Sequence, residues 1–280
     1  MAAPAVGIAY CAACCFIIIQ QPKFIFFPSS VVDTTPAKLN LPYEEVWLSV
    51  PVTATKVERI HGWWIENQQS PKTKVLLYFH GNGLNISANL SAARGFNQAG
   101  FSVLLIDYRG YGLSEGGFPN EQRIYQDAAT AWNYLIGERQ VKPRNIFIYG
   151  HSLGGGVAID LAAKNPEAAG LIVEATFSSI RDIVKYRKQF WMFPVDLMVT
   201  QRFESIAKVP KLKMPVLFIH GVNDSTIPAS MTEKLYAATP EPKLLLLVPG
   251  ADHNDIGAFA PQKYRQAVES FLKLVDGDSK

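Results

Sequence analysis

The residues with the clearest capacity for chemistry surround Ser152. Gly150-His151-Ser152-Leu153-Gly154 follows an apolar run at 145–149 and opens a stretch containing Val157, Ile159 and Leu161. A serine with glycine two before and two after, between a strand and a helix, suits a turn too tight for larger neighbours. Such a turn holds the hydroxyl at the tip of a sheet. The first N–H groups of the helix and its partial positive charge lie beside it. This is the placement that a nucleophile for acyl transfer needs.

A serine hydroxyl needs a base at neutral pH. The histidines are His61, His80, His151, His220 and His253. His61 lies on an early strand, His80 and His220 each precede a glycine at a strand end, and His151 adjoins the serine and should point away from it. His253 sits in Gly250-Ala251-Asp252-His253-Asn254-Asp255, a loop able to reach over the site. It is the expected base, and its protonation would remove activity at acid pH.

The base needs a carboxylate that fixes its tautomer and stabilises the imidazolium. Asp224 ends His220-Gly221-Val222-Asn223-Asp224, at the carboxyl end of a predicted strand. Asp252 and Asp255 are too close to His253 in sequence, and Asp182 and Asp196 fall in an insertion. Asp107 and Arg109, in Asp107-Tyr108-Arg109-Gly110-Tyr111-Gly112, read as structural. An oxyanion would be met by the backbone N–H of Leu153 and by one from His80-Gly81-Asn82-Gly83, with Asn82 expected and Gly83 its rival.

These residues need a scaffold. Short apolar runs at 44–50, 57–65, 74–79, 101–106, 145–149, 171–173, 216–219 and 244–248 predict strands, most of them covered on both faces. The first two read as an antiparallel pair. Helices are predicted at 87–99, 121–137 (with Asn120 as N-cap), 153–164, 229–238 and 261–275. The alternation gives an α/β fold with a mostly parallel eight-stranded sheet and helices on both faces. About forty residues between two of the strands, at about 176–213, break the pattern. They carry Lys185, Tyr186, Arg187, Lys188, Phe190, Trp191 and Phe193, and read as either a small helical lid or an ordinary connection.

With these segments in view, the chain resembles the α/β-hydrolase superfamily along nearly all of residues 43–280. The matching stretches are HGNG at His80, DYRGYGLS at Asp107, GHSLGG at Gly150, HGVND at His220 and GADHND at Gly250. The finer resemblance is to small serine hydrolases with a serine-aminopeptidase-like domain and an N-terminal membrane segment, a group that includes depalmitoylases. The resemblance implies Ser152 as nucleophile, Asp224 as acid and His253 as base. It implies no metal and no organic cofactor.

The N-terminal 22 residues carry no charged side chain, and about 20 apolar residues can span a bilayer. Pro4 and Gly7 are expected to interrupt the early part. Residues 1–27 therefore read as a membrane anchor, with a cleaved secretory signal, cysteine acylation and a tail packed on the domain as alternatives. The cysteines are confined to Cys11, Cys14 and Cys15, which excludes a disulfide scaffold. Residues 28–42, rich in Ser, Thr and Pro, read as a linker.

Composition narrows the partners. Among 280 residues 48% are hydrophobic, 18% are charged and the net charge is +3, so neither disorder nor nucleic-acid binding is indicated. The expected substrate is an ester or thioester of a small-molecule or lipidated acyl group. A peptidase, with Glu174 or Asp182 holding the substrate amine, and a non-catalytic scaffold are the other readings. Dehalogenase and epoxide hydrolase chemistry use an aspartate where Ser152 stands.

Overall fold

The structure, a computed structural model, describes residues 2–68 and 74–277. An eight-stranded sheet forms its centre, in the order β10 (Lys243–Val248), β9 (Val216–Gly221), β8 (Gly170–Glu174), β7 (Ile146–His151), β4 (Val75–Phe79), β6 (Ser102–Ile106), β3 (Val57–Ile65), β2 (Glu44–Pro51). Neighbours pair parallel from β10 to β6, and β3 joins β6 and β2 antiparallel. This is the mostly parallel sheet expected. A two-residue β1 (Phe27–Pro28) pairs separately with β5 (Gly83–Leu84).

The near-continuous apolar runs follow from burial on both faces. Val75, Leu77 and Phe79 of β4 face one core and Leu76 and Tyr78 the other; Ile146 and Ile148 of β7 oppose Phe147 and Tyr149 likewise. Helices α3 (Glu121–Gly137), α4 (Leu153–Lys164) and α8 (Ala229–Ala238) cover the first face. The second is covered by α2 (Leu90–Gln98), α9 (Ile256–Phe259) and α10 (Pro261–Gly277). The helix expected at 87–99 divides into a 3-10 turn, Ile86–Asn89, and α2. Asn120 caps α3, its side-chain oxygen accepting the Arg123 N–H at 3.0 Å.

Helix α3 buries Ile124, Asp127, Ala128, Ala131, Trp132 and Leu135, one stripe at helical spacing. The charge on that stripe is met by Arg109, itself 1% exposed. Its Nε donates to Asp127 Oδ1 at 2.6 Å, and its backbone N–H to Oδ2 at 2.8 Å. Removing one partner of a buried pair leaves the other charge uncompensated, so Arg109→Met is expected to lower the unfolding free energy by about 3–5 kcal/mol. Urea denaturation measures it. Adding Asp127→Asn should recover part of the loss, and a deficit below about 1 kcal/mol, the size of an exposed pair, would contradict the argument.

Between β8 and β9 lie α5 (Ile180–Arg187), α6 (Val195–Met198) and α7 (Ser205–Lys208). This connection, termed the cap, contributes Ile180, Ile183, Phe193 and Val199 to the cavity at Ser152. At the other end of the sequence, α1 (Ala2–Ile25) is one helix that runs through Pro4 and Gly7. A proline in the first turn removes an N–H that has no helical acceptor, so it does not break the helix. The segment after it, which includes the expected linker at 28–42, is tied down. Phe26 is buried against Phe203, Ser29 N–H donates to Leu84 O, and Asn85 Nδ2 donates to Ser29 O and Val31 O.

Candidate active site

Strand β7 delivers Ser152 to the carboxyl edge of the sheet and α4 starts at the next residue. The turn between them forces Ser152 to φ 54°, ψ −118°, in the left-handed half of backbone space. Two close approaches explain its glycines. A Cβ at Gly150 would run into the carbonyl oxygen of Gly154, and one at Gly154 into that of Phe79. Leu153 is the first residue of α4, where an N–H has no acceptor within the helix.

His253 reaches the serine from the loop after β10. Its Nε2 is 3.0 Å from Ser152 Oγ and its Nδ1 is 2.6 Å from Asp224 Oδ2. The Asp224 side chain is fully buried, and its Oδ1 accepts the N–H groups of Thr226 and Ile227, each at 2.8 Å. Burial works against its charge. Hydrogen bonds from His220, His253 and the Ile227 N–H outweigh burial and hold the carboxyl well below the usual carboxylate range. The structure thus brings Ser152, His253 and Asp224 into one hydrogen-bonded chain.

His220 is the group that the sequence reading passed over. Its Nε2 lies 3.1 Å from Asp224 Oδ2, and its Nδ1 is 2.6 Å from Thr232 Oγ1. The available signal was the spacing of four residues in HGVND, which returns the first side chain to the last across a tight turn. His151 meets the backbone of the base, its ring 5.1 Å from that of His253. Its Nε2 lies 3.1 Å from His253 O, and burial lowers its pKa and keeps it neutral. A neutral ring there donates to the His253 carbonyl without setting a positive charge beside the base.

The acidic neighbours have structural duties. Asp252 Oδ1 accepts the N–H groups of Ser225 and His253, which ties the His253 loop to the Asp224 loop, and Asp255 Oδ1 accepts the Asp252 N–H. Asp107 Oδ1 takes the Ile86 N–H. Asp196 pairs with Lys185 in the cap. The two carboxylates considered for a peptide amine lie elsewhere: Glu174 accepts from Tyr149 and Tyr264, Asp182 from Ser178 and Lys234. Neither lines the cavity at Ser152.

That cavity also contains Asn82 and Leu153 in its wall. The Asn82 carbonyl accepts the Phe27 N–H at 2.8 Å and the Tyr111 hydroxyl at 2.7 Å, while its Nδ2 donates to Ile25 O at 2.8 Å. The side chain is therefore tied to the last residue of α1, which leaves the Asn82 main-chain N–H as the donor considered for an oxyanion. Gly83 is taken up in the pairing of β5 with β1. Among the described residues, no group of three or more His, Cys, Asp or Glu side chains is arranged to hold a metal ion.

Comparison with known proteins gives a consistent picture. A sequence profile described as serine aminopeptidase, S33, matches residues 69–204. An uncharacterized protein of Mycobacterium tuberculosis is 34% identical, over 92% of this chain and 89% of its own length. The α/β hydrolase domain-containing protein WAV2 of Arabidopsis thaliana is 32% identical, over 79% of this chain and 76% of its own. Among solved structures, an esterase of Pyrococcus furiosus superposes with a TM-score of 0.72 at 21% identity, covering 89% of this chain and 97% of that one.

Proposed function

The chain belongs to the α/β-hydrolase superfamily, and from that premise we propose that it is a serine hydrolase. It cleaves an ester or thioester of an acyl or lipidated substrate through an acyl-enzyme, using Ser152, His253 and Asp224. The observation that carries this reading is the 3.0 Å approach of His253 Nε2 to Ser152 Oγ, with Nδ1 held 2.6 Å from Asp224.

In this mechanism Ser152 Oγ bonds to the substrate carbonyl carbon as its proton passes to His253 Nε2. The carbonyl π electrons move to oxygen, which accepts the N–H groups of Leu153 and Asn82. Collapse expels the alkoxide or thiolate, which takes the proton from His253. Water then gives its proton to His253, attacks the acyl carbon and releases the acid, with the proton returned to Ser152. Asp224 accepts the Nδ1–H throughout and stabilises the imidazolium without being protonated. We assign α1 the role of membrane anchor, on its length, its lack of charge up to Pro22 and its exposure.

The test uses the full chain in detergent, a fluorophosphonate probe and a Ser152→Ala control. Labelling of wild-type protein alone is expected, with acyl esters or thioesters competing better than aminoacyl anilides. Preferential competition by anilides would move the reading to a peptidase, and no labelling of folded protein would move it to a scaffold.

A further inference from the structure

The geometry points to a long-chain acyl site in the cavity beside Ser152, with the N-terminal helix as one of its walls. This inference deepens the hydrolase reading and rests on Ser152 as nucleophile. The cavity measures about 370 Å³. That is within the usual range for ligand sites and has room for roughly a dozen methylene-sized groups at ~30 Å³ each. Ile17, Phe24 and Ile25 of α1 line one side, and Ile183, Phe193 and Val199 of the cap line another. Gln21, Lys23, Arg187 and Gln189 share the wall, but its surface is mainly apolar, which favours the burial of hydrocarbon over that of a peptide backbone.

Helix α1 is fixed as a wall by specific bonds. Gln21 is 6% exposed; its Oε1 accepts from Thr200 N–H at 2.7 Å, Thr200 Oγ1 at 3.0 Å and Gln201 N–H at 2.7 Å, and its Nε2 donates to Met198 O at 3.1 Å. These bonds fill the carbonyl oxygen, so Gln21 fastens the helix to the cap rather than recognising substrate. About three turns earlier, the Tyr10 hydroxyl donates to Met192 O at 2.9 Å and the Tyr10 ring stacks on Phe193 at 5.6 Å. The helix is therefore held to the cap at two points, Tyr10 and Gln21. The bound hydrocarbon chain would run between helix and cap, starting from the carbonyl at Ser152.

The choice of acyl length thus falls to α1. The test compares hydrolysis of p-nitrophenyl acetate, dodecanoate and hexadecanoate by the full chain in detergent. Ile17→Trp fills the cavity from the helix side, and the dodecanoate-to-acetate ratio of kcat/KM is expected to fall at least tenfold. Phe24→Ala removes bulk without overpacking and should shift the preference toward hexadecanoate. Val6→Trp, at an exposed position on the same helix, should leave the ratio unchanged and controls for effects on the micelle. An unchanged ratio in both Ile17→Trp and Phe24→Ala, or an equal shift in Val6→Trp, would overturn the inference. Absence of any Ser152-dependent turnover of acetate by wild-type protein would instead overturn the hydrolase reading beneath it.

Discussion

Ser152→Ala is expected to lower kcat by about 10⁶-fold, the scale seen when a triad nucleophile is removed from a serine hydrolase. The loss is chemical rather than structural. Alanine keeps the Cβ that already occupies φ 54°, so it neither relieves nor adds backbone strain. The hydroxyl it removes has a single side-chain hydrogen-bond partner, His253 Nε2. Thermal unfolding should therefore stay within a few degrees of wild type. Residual turnover reflects only binding and the oxyanion donors. A variant with more than a tenth of wild-type kcat on any competing ester would remove Ser152 from the mechanism.

The second large effect is at Asp224, where Asn should lower kcat by about 10⁴-fold. The amide oxygen can still accept the Thr226 and Ile227 N–H groups that hold the turn. What changes is the partner of His253 Nδ1. An NH₂ group placed there donates to the ring, so the proton moves to Nε2, and a protonated Nε2 cannot accept from Ser152. Substitution with glutamate would restore the charge but not the position. Lowering the pH to 5 should not reproduce the Asn phenotype by neutralising Asp224, because its carboxyl is held well below the usual range. Stopped-flow measurement of acyl-enzyme formation distinguishes this from a binding defect, since KM should move far less than kcat. An equal kcat in wild type and Asp224→Asn would direct attention to another carboxylate.

Much of this arrangement could be read from residue order. The strand-to-helix context of Gly150 to Gly154 pointed to Ser152, and the terminal loop pointed to His253. Both are local signals, set by glycines that backbone packing demands and by apolar runs that both faces of the sheet demand. The sheet was legible for the same reason. Its strands alternate between two cores, and each needs apolar residues on both sides.

Other features were faint or silent. His220 bears on Asp224 through a turn whose shape depends on Ile227 and Thr232, not on the five-residue motif alone. Helix α1 is apolar around its circumference, so no stripe marks which side packs. Its docking rests on two polar side chains, Tyr10 and Gln21, whose partners lie far away in sequence. The tie from the Asn82 side chain to Ile25 likewise left no mark in the sequence.

The bonds of Gln21 to residues 198–201 span 177 to 180 positions of sequence. During synthesis α1 leaves the ribosome first. At about 5–20 residues per second its partners in the cap follow roughly 10 to 40 s later. For that interval the helix is available to a nascent-chain receptor, an insertion machinery or a bilayer, while the cleft it will border does not yet exist. The order of translation thus separates exposure of the helix from assembly of the cleft in time. A ribosome that stalls before residue 201 leaves the helix without its partners in the cap and the cleft it borders unbuilt.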